Sequence, residues 1–270
     1  MTAAVEVRDD AGRIIRLSRP ARRIVSLVPS VTESIVAMGE RERLIARTDY
    51  DRGTALSGLP SVGGGLDPSP EALLALDPDL VIAWRTARPE SYRDLLQDAG
   101  IPVYSAVIED TSDVFRIYER LGTLLGIEPA ADRLAGRLRD TLAAVAADRP
   151  AGHPPSVLYV LPGSPPRTAG PDTFVAQLLE IAGGRLPFPE LRERWPEVSL
   201  EAVVERQPDI VVVPIDSGQD LRGLLEGRPG WSELEAVRSG RVVGVDGDLF
   251  SRPGPRLGEA ARELQRAIVR

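Results

Sequence analysis

The sequence predicts an α/β fold with two similar lobes, each built on a mainly parallel sheet, joined by one long rigid α-helix. Three observations support this prediction: a segment that recurs at a fixed offset, apolar runs that alternate with helical patterns, and a long amphipathic stretch at mid-chain. The chain has 270 residues, of which 43 % are hydrophobic and 27 % charged. Because single cores rarely grow beyond about 250 residues, this length is sufficient for more than one core.

The recurring segment is an internal repeat of a helix followed by a strand. Residues 69–83 (SPEALLALDPDLVIA) match residues 199–213 (SLEAVVERQPDIVVV) at a constant offset of 130 positions, from 69 to 199. In each copy a serine stands at the N-cap position, and a glutamate in the first turn complements the helix dipole. The helix ends before a proline, and the apolar run that follows is typical of a buried strand. The repeat therefore predicts an equivalent α/β unit in each lobe.

The other predicted elements alternate between strands and helices. Apolar runs predict strands at residues 23–28, 80–83, 103–107, 156–161, 210–213 and 241–245. The first and fourth of these strands are each followed by a helical pattern that a glycine closes, at residues 32–39 and 174–183. Because strands that alternate with helices form largely parallel sheets, we interpret each half as a Rossmann-like lobe.

A long amphipathic stretch predicts the connection between the lobes. Four apolar residues share one face at helical spacing: Leu134, Leu138, Leu142 and Val145. About 20 residues at 1.5 Å per residue make a rod of roughly 30 Å, long enough to brace two small domains. We predict a first lobe at residues 1–128, a connecting helix at 129–150 and a second lobe at 151–270, with a ligand cleft between the lobes.

The composition excludes several classes of chemistry. The chain has no cysteine, no lysine and a single histidine, His153. It therefore has no thiolate nucleophile, no Cys-ligated metal, no Schiff-base or P-loop lysine and no multi-histidine metal site. Gly152 and Pro154 flank His153, which is typical of an exposed connector.

The charge and hydropathy patterns limit the partners and the location. A formal net charge of −7 and a pI near 5.0 are unlike the basic face of a nucleic-acid-binding protein, so we expect no nucleic-acid partner. No run of about 18 apolar residues is present, so we expect no direct membrane insertion. Residues 1–21 lack the apolar core of a signal peptide. We therefore expect a periplasmic or extracytoplasmic protein if a signal peptide was removed, and a cytoplasmic one if Met1 is the native start.

No catalytic motif stands out. The Gly-x-Ser-x-Gly motif is absent, and the three glycines at residues 63–65 lack the spacing of either nucleotide-binding motif. We predict a protein that is not an enzyme and has neither catalytic residues nor a catalytic cofactor.

The few aromatic residues, 4 % of the chain, predict a ligand-binding surface. Trp84 follows the strand at 80–83, and in parallel sheets that strand end lines the ligand crevice. Three more aromatics lie at predicted strand exits or in loops: Tyr50 at the exit of a strand predicted for the run 44–49, Trp195 before the second repeated helix, and Phe250 after the strand at 241–245. Two rings per half predict a ring-lined cleft, whereas Trp231 has the neighbours of an ordinary packing residue.

Four segments resemble the substrate-binding proteins of cobalamin and iron–siderophore ABC importers, and most closely the cobalamin-binding members. They are residues 23–33 (RIVSLVPSVTE), 79–85 (DLVIAWR), 195–199 (WPEVS) and 248–256 (DLFSRPGPR). The resemblance implies two α/β lobes joined by one helix. It also implies that the protein binds cobalamin or a related corrinoid and delivers it to the permease subunits of an ABC importer. We expect it to act as a monomer.

The resemblance also implies roles for individual residues. Ligand contacts are expected from Tyr50, Gly64, Gly65, Trp84, Arg85, Arg167, Trp195, Asp248, Leu249, Phe250, Ser251 and Arg252. Glu71 and Glu201 correspond to the glutamates that dock onto permease arginines. Two positions depart from the cobalamin binders: Gly65 stands where they have a tryptophan, and Arg167 replaces an aromatic residue. We expect these changes to make the cleft more open and more positive.

Three alternative functions stay open at this point. A ferric siderophore would use the clustered arginines Arg85, Arg167 and Arg252. Haem would require an axial ligand, for which Tyr50 is the candidate. A cytoplasmic corrinoid-handling protein could have the same fold without a transporter.

Overall fold

Two parallel sheets form the centre of the fold, one in each half of the chain. The computed structural model describes residues 4–86, 91–161, 163–216, 219, 221 and 230–269. The chain divides into two units: unit 1 comprises Met1–Ile108 and Ser112–Arg137, and unit 2 comprises Glu109–Thr111 and Leu138–Arg270. The predicted fold class, a mixed α/β protein of two domains with parallel sheets, is confirmed.

Unit 1 contains a hairpin, a parallel sheet and several helices. The antiparallel hairpin consists of β1 (Val5–Arg8) and β2 (Ile14–Leu17). The parallel sheet has the order β3-β4-β5, with β3 at Ile24–Ser26, β4 at Leu80–Trp84 and β5 at Val103–Ala106. The helices of this half are α1 (Pro29–Ala37), α2 (Pro70–Ala75), α3 (Ser91–Asp98) and α4 (Thr111–Leu125).

The hairpin turn closes the exposed edge of β5. The Asp10 N–H donates to the Ser105 carbonyl at 3.0 Å, and the Asp10 carboxylate accepts from the Val107 N–H at 2.7 Å. The Asp9 carboxylate, with no exposed area, accepts from the Ser105 N–H at 3.2 Å. An uncovered edge strand invites pairing with other chains, so this turn protects the sheet.

Unit 2 repeats the parallel arrangement and adds one short antiparallel strand. Its sheet has the order β7-β6-β8-β9, with β6 at Val157–Leu161, β7 at Arg167–Thr168, β8 at Ile210–Ile215 and β9 at Val242–Asp246. Only β7 runs antiparallel to its neighbour. The helices are α6 (Phe174–Ala182), α7 (Leu200–Arg206), α8 (Glu235–Arg238), α9 (Gly247–Ser251) and α10 (Leu257–Val269).

The two halves share detailed geometry at the repeated positions. Ser69 and Ser199 each accept the backbone N–H three residues on, at 3.2 Å, as the N-caps of α2 and α7. The chain leaves these helices through Asp77 (φ 45°) and Gln207 (φ 39°), the non-glycine residues with positive φ in the described part of the chain. The predicted internal repeat is thus present in the backbone as well as in the sequence.

Helix α5 (Glu128–Ala147) carries the chain from unit 1 into unit 2. The four apolar residues predicted to share one face are all buried: Leu134, Leu138, Leu142 and Val145. His153, beyond the helix, is exposed as predicted. The rigidity of the helix, the domain boundaries 1–128, 129–150 and 151–270, and the ligand cleft stay predictions. None of the helices in the described ranges is long and apolar enough to cross a membrane.

Two local predictions are wrong. The run 44–49 forms no strand. Leu44 makes an isolated β-bridge to Ile24 and Arg47 makes one to Ser61, so the run pairs with two different segments and forms no continuous ladder. Tyr50 therefore lies in a turn and not at a strand exit. Phe250 lies within α9, because the Asp246 carboxylate accepts the N–H groups of residues 248 and 249 and starts a helix directly after β9.

The paired positive-φ residues allow a matched stability test. A left-handed backbone conformation costs a non-glycine residue roughly 1–2 kcal/mol of strain. Glycine avoids this strain, but its greater conformational entropy in the unfolded state offsets part of the gain. Asp77→Gly should therefore raise the free energy of unfolding by about 0.5–1 kcal/mol. Gln207→Gly should give no gain, because the Gln207 side chain donates to the Glu233 carbonyl and accepts the Glu235 N–H. Urea denaturation followed by circular dichroism measures both, and a destabilised Asp77→Gly would contradict the strain argument.

Candidate functional site

The exit of β4 presents an aromatic ring and a cation in unit 1. Trp84 is the last residue of the central strand and is half-buried, and its carbonyl accepts a hydrogen bond from the Arg93 guanidinium. The next residue, Arg85, is exposed, and its backbone N–H donates to the Ala106 carbonyl at 2.8 Å. Within the described ranges, no polar group pairs with the Arg85 guanidinium. The end of β4 thus carries an aromatic ring and, on the next residue, a cation without a partner in the described ranges.

Tyr50 lies beside the glycine loop of the same unit. Its side chain is 61 % exposed, which is unusual for a large aromatic residue. The turn that carries it is fixed by Asp51, whose carboxylate accepts from the Thr48 N–H at 2.6 Å and hydroxyl at 2.9 Å. A Cβ placed on Gly64 would lie 3.9 Å from the Tyr50 ring. Tyr50 and the glycine loop therefore form one surface, although the sequence predicted Tyr50 at the exit of a strand.

Gly65 has a steric reason to be glycine. A Cβ at this position would overlap the carbonyl oxygen of Leu27, at the end of β3. The loop therefore approaches the strand more closely than any other residue would allow. The tryptophan that the resemblance to cobalamin binders implies at this position would not fit this backbone.

Three rings of unit 2 pack together. The Tyr159 ring centroid lies 6.2 Å from that of Trp195 and 5.9 Å from that of Phe250. Tyr159 is buried in β6, and this burial raises the pKa of its phenol. Trp195 is half-buried, whereas Phe250 is only 3 % exposed. The cluster holds the Trp195 ring in place. The sequence did not predict Tyr159 as part of the site, because its neighbours are those of an ordinary buried strand.

The segment Asp248 to Arg252 splits into buried and accessible side chains. Leu249 and Phe250 are buried, whereas Asp248, Ser251 and Arg252 reach the surface. The Arg252 guanidinium lies 3.3 Å from the Asp248 carboxylate. The role of all five residues as ligand contacts stays a prediction.

The added positive charge expected from Arg167 is offset. Its guanidinium pairs with the Glu197 carboxylate at 2.9 Å, and both side chains are more than half exposed. Glu197 belongs to the segment that precedes α7, and a backbone bridge joins it to Arg167. No spacing in the sequence indicates this pair, since the partners lie on different segments.

Glu71 and Glu201 occupy equivalent exposed positions at the start of α2 and α7. The Ser69 hydroxyl donates to the Glu71 carboxylate at 3.2 Å. Hydrogen bonds from its own backbone N–H and from Ser199 lower the pKa of Glu201, so this carboxylate stays charged. No arginine pairs with either glutamate in the part of the chain that the structure describes. Each unit therefore presents one exposed glutamate that pairs with no arginine among the described residues.

Residues 24–249 match the sequence model described as periplasmic binding protein. The chain belongs to the periplasmic binding protein family. It is 30 % identical over 271 residues to an uncharacterized ABC transporter substrate-binding lipoprotein of Bacillus subtilis, over 98 % of this chain and 85 % of the relative. The predicted membership among the substrate-binding proteins of ABC importers is confirmed.

Two solved structures from Vibrio cholerae show how far the similarity extends. The periplasmic vitamin B12 binding protein BtuF is 26 % identical with a TM-score of 0.73, over 93 % of this chain and 97 % of BtuF. The periplasmic haem binding protein HutB is 25 % identical with a TM-score of 0.81, over 92 % of this chain and 97 % of HutB. The two identities are nearly equal, so they support the family without distinguishing between the two ligands. The ligand of this chain is therefore inferred from the chemistry of its own site.

The glycine loop generates a test with a neighbouring control. Gly65→Ala should lower the free energy of unfolding by about 1–3 kcal/mol, because its methyl group must displace the Leu27 carbonyl. Gly64→Ala should change it by less than about 0.5 kcal/mol, since a Cβ on Gly64 would lie 3.6 Å from the Asp67 carbonyl oxygen, an ordinary contact distance. Thermal melts of the two variants give the comparison. Equal melting temperatures would show that the close approach at Gly65 imposes no constraint.

Proposed function

We propose that this protein binds cobalamin or a related corrinoid outside the cytoplasmic membrane and delivers it to the permease of an ABC importer. It acts as a monomer and as a carrier, without catalysing a reaction. The periplasmic binding protein family and the lipoprotein relative support the transport role and the location.

The balance of charge among the candidate contacts carries the choice of ligand. Of the three candidate arginines, Arg167 is paired with Glu197 and Arg252 with Asp248, whereas Arg85 has no partner among the described residues. A polyanionic ferric siderophore would require several free cations, because a buried anion without counter-charge is costly. A corrinoid is rich in neutral amides and apolar edges, and it carries a single phosphate. One arginine without a partner among the described residues, together with accessible aromatic rings, fits that composition.

The rings supply the apolar part of the proposed site. Trp84 and Tyr50 in unit 1 and Trp195 in unit 2 are the candidate aromatic contacts with accessible surface. Trp195 is held against Tyr159, so its ring needs little reordering when a ligand binds. Phe250 acts through the same cluster, where it packs against Tyr159 and so supports the half-buried Trp195.

Haem is the second candidate, for a specific reason. The exposed residue Tyr50 is the candidate axial iron ligand, and HutB has a similar fold. Two haem propionates would, however, find only one uncompensated arginine among the candidate contacts. The corrinoid is therefore preferred.

Truncation of the two accessible tryptophans tests the corrinoid site. Truncation of an aromatic anchor in a desolvated site to alanine costs about 2–4 kcal/mol of binding free energy. Trp84→Ala and Trp195→Ala should each weaken cobalamin binding roughly 30- to 800-fold, because each variant loses a ring that stacks on the ligand. Titration with cyanocobalamin, followed by tryptophan fluorescence quenching and visible absorption, measures the affinity.

The control is the third tryptophan. Trp231 is 4 % exposed and packs in the core of unit 2, so Trp231→Phe should lower the melting temperature without changing cobalamin affinity. Haem and a ferric hydroxamate siderophore are titrated beside cobalamin. If haem binds more tightly than cobalamin and Tyr50→Phe alters the spectrum of bound haem, the ligand is haem and the corrinoid proposal is wrong.

Glu71 and Glu201 generate the docking prediction. Exposed ion pairs are individually weak, so the double charge reversal Glu71→Arg with Glu201→Arg should show the effect best. It should reduce cobalamin uptake by proteoliposomes that contain the importer by at least 10-fold while cobalamin affinity stays unchanged. The matched control reverses Glu6 and Glu235, two exposed glutamates that already pair with Arg16 and Arg238. Uptake that survives the Glu71 and Glu201 reversal would exclude the docking role.

A further inference from the structure

A groove of about 680 Å³ lies beside Glu201 in unit 2. Its lining is mostly apolar and includes Ser164, Pro165, Pro166, Leu200, Glu201 and Trp231. This volume falls within the range of about 300–1,000 Å³ that is typical of small-molecule pockets, so it can hold several side chains. None of these groove residues except Glu201 is among the predicted ligand or docking positions.

The groove has a fixed wall and a fixed floor. In the wall, the Pro166 carbonyl accepts from the Val198 N–H at 3.0 Å, and the Thr168 N–H donates to the Pro196 carbonyl at 3.1 Å. The floor rests on Trp231, which belongs to the core cluster that Leu200 also contacts. A Cβ on Gly230 would overlap the Leu200 side chain, so Gly230 packs tightly against Leu200. A partner would therefore enter a preformed surface.

The groove joins an apolar surface to one ionised carboxylate. Glu201 has an exposed side chain, a lowered pKa and no arginine partner among the residues described. An exposed ion pair contributes little alone, so a carboxylate by itself gives a weak and unspecific contact. Burial of an apolar side chain in a shaped pocket beside the pair supplies the missing affinity and selectivity. The complementary partner carries a basic residue next to an apolar one.

We propose that this groove receives an extracytoplasmic segment of the permease in which an arginine adjoins a large apolar side chain. The arginine pairs with Glu201, and the apolar side chain lies against Leu200 and the two prolines. This inference rests on the proposed docking of Glu201 and adds a second contact to it. Docking at unit 2 then depends on shape as well as on charge.

Cross-linking tests which segment occupies the groove. Because the chain has no cysteine, Ser164→Cys creates a single thiol at the exposed rim of the groove. This variant is labelled with benzophenone maleimide, mixed with the purified permease complex that supports uptake with the wild-type protein, and irradiated. Mass spectrometry should identify a permease peptide that contains an arginine next to an apolar residue. Ser57→Cys, at an exposed position in unit 1, is the matched control and should give at least 5-fold less of this product.

Filling the groove tests whether it contributes to docking. Ser164→Tyr should weaken binding to the permease complex at least 5-fold, and Ser57→Tyr should leave it unchanged. Cyanocobalamin affinity, measured in parallel, should stay the same for both variants. Unchanged permease binding by Ser164→Tyr overturns the groove contact, as does a cross-link to a second copy of this chain or to a permease segment without arginine. If wild-type protein fails to bind cobalamin or to support its uptake, the proposed function fails instead.

Discussion

Two aspartate carboxylates, one in each unit, hold the starts of neighbouring parallel strands together, and the other features depend on the sheets that these strands form. Asp79 accepts the backbone N–H groups of Arg22 and Arg23, and Asp209 accepts that of Ser156. Each carboxylate thus ties the start of a central strand to the residues before its neighbour. Parallel strands have no tight turn between them to set their register, and a slip by one residue would turn every side chain to the opposite face. The resulting register pairs Ile24 with Leu80 and Val157 with Ile210.

This register decides which side chains reach the ends of the strands. In unit 1 it places Trp84 at the end of β4, where the ring is half-buried and Arg85 follows it. In unit 2 it places Tyr159 inside β6, where its ring supports Trp195. The same strand ends are crowded by backbone, as the contact between Gly65 and the Leu27 carbonyl shows. Large rings can therefore occupy only some of these positions.

The two units repeat a backbone and differ in what surrounds it. Both place a capping serine and a glutamate at the start of a short helix, so both present the same charge in the same local geometry. Beside Glu201 lies a wall of prolines over a buried tryptophan, whereas the segment before Glu71 is the glycine loop with the exposed Leu66. A partner that contacts both glutamates would meet equal charges on chemically different surfaces, and this difference could distinguish one unit from the other.

Short-range periodicity and local composition are enough to predict the repeat, the six parallel strands to within a few residues, the connecting helix and the packing role of Trp231. The amphipathic helices at Thr111–Leu125 and Leu257–Val269 carry a similar periodic signal. The folded chain was needed to reveal the hairpin that covers β5, the turn that holds Tyr50, the burial of Phe250 and the pairing of Arg167 with Glu197. Each of these depends on segments that meet in space after the sheets have formed, and a contact between distant segments leaves no periodic trace in the chain.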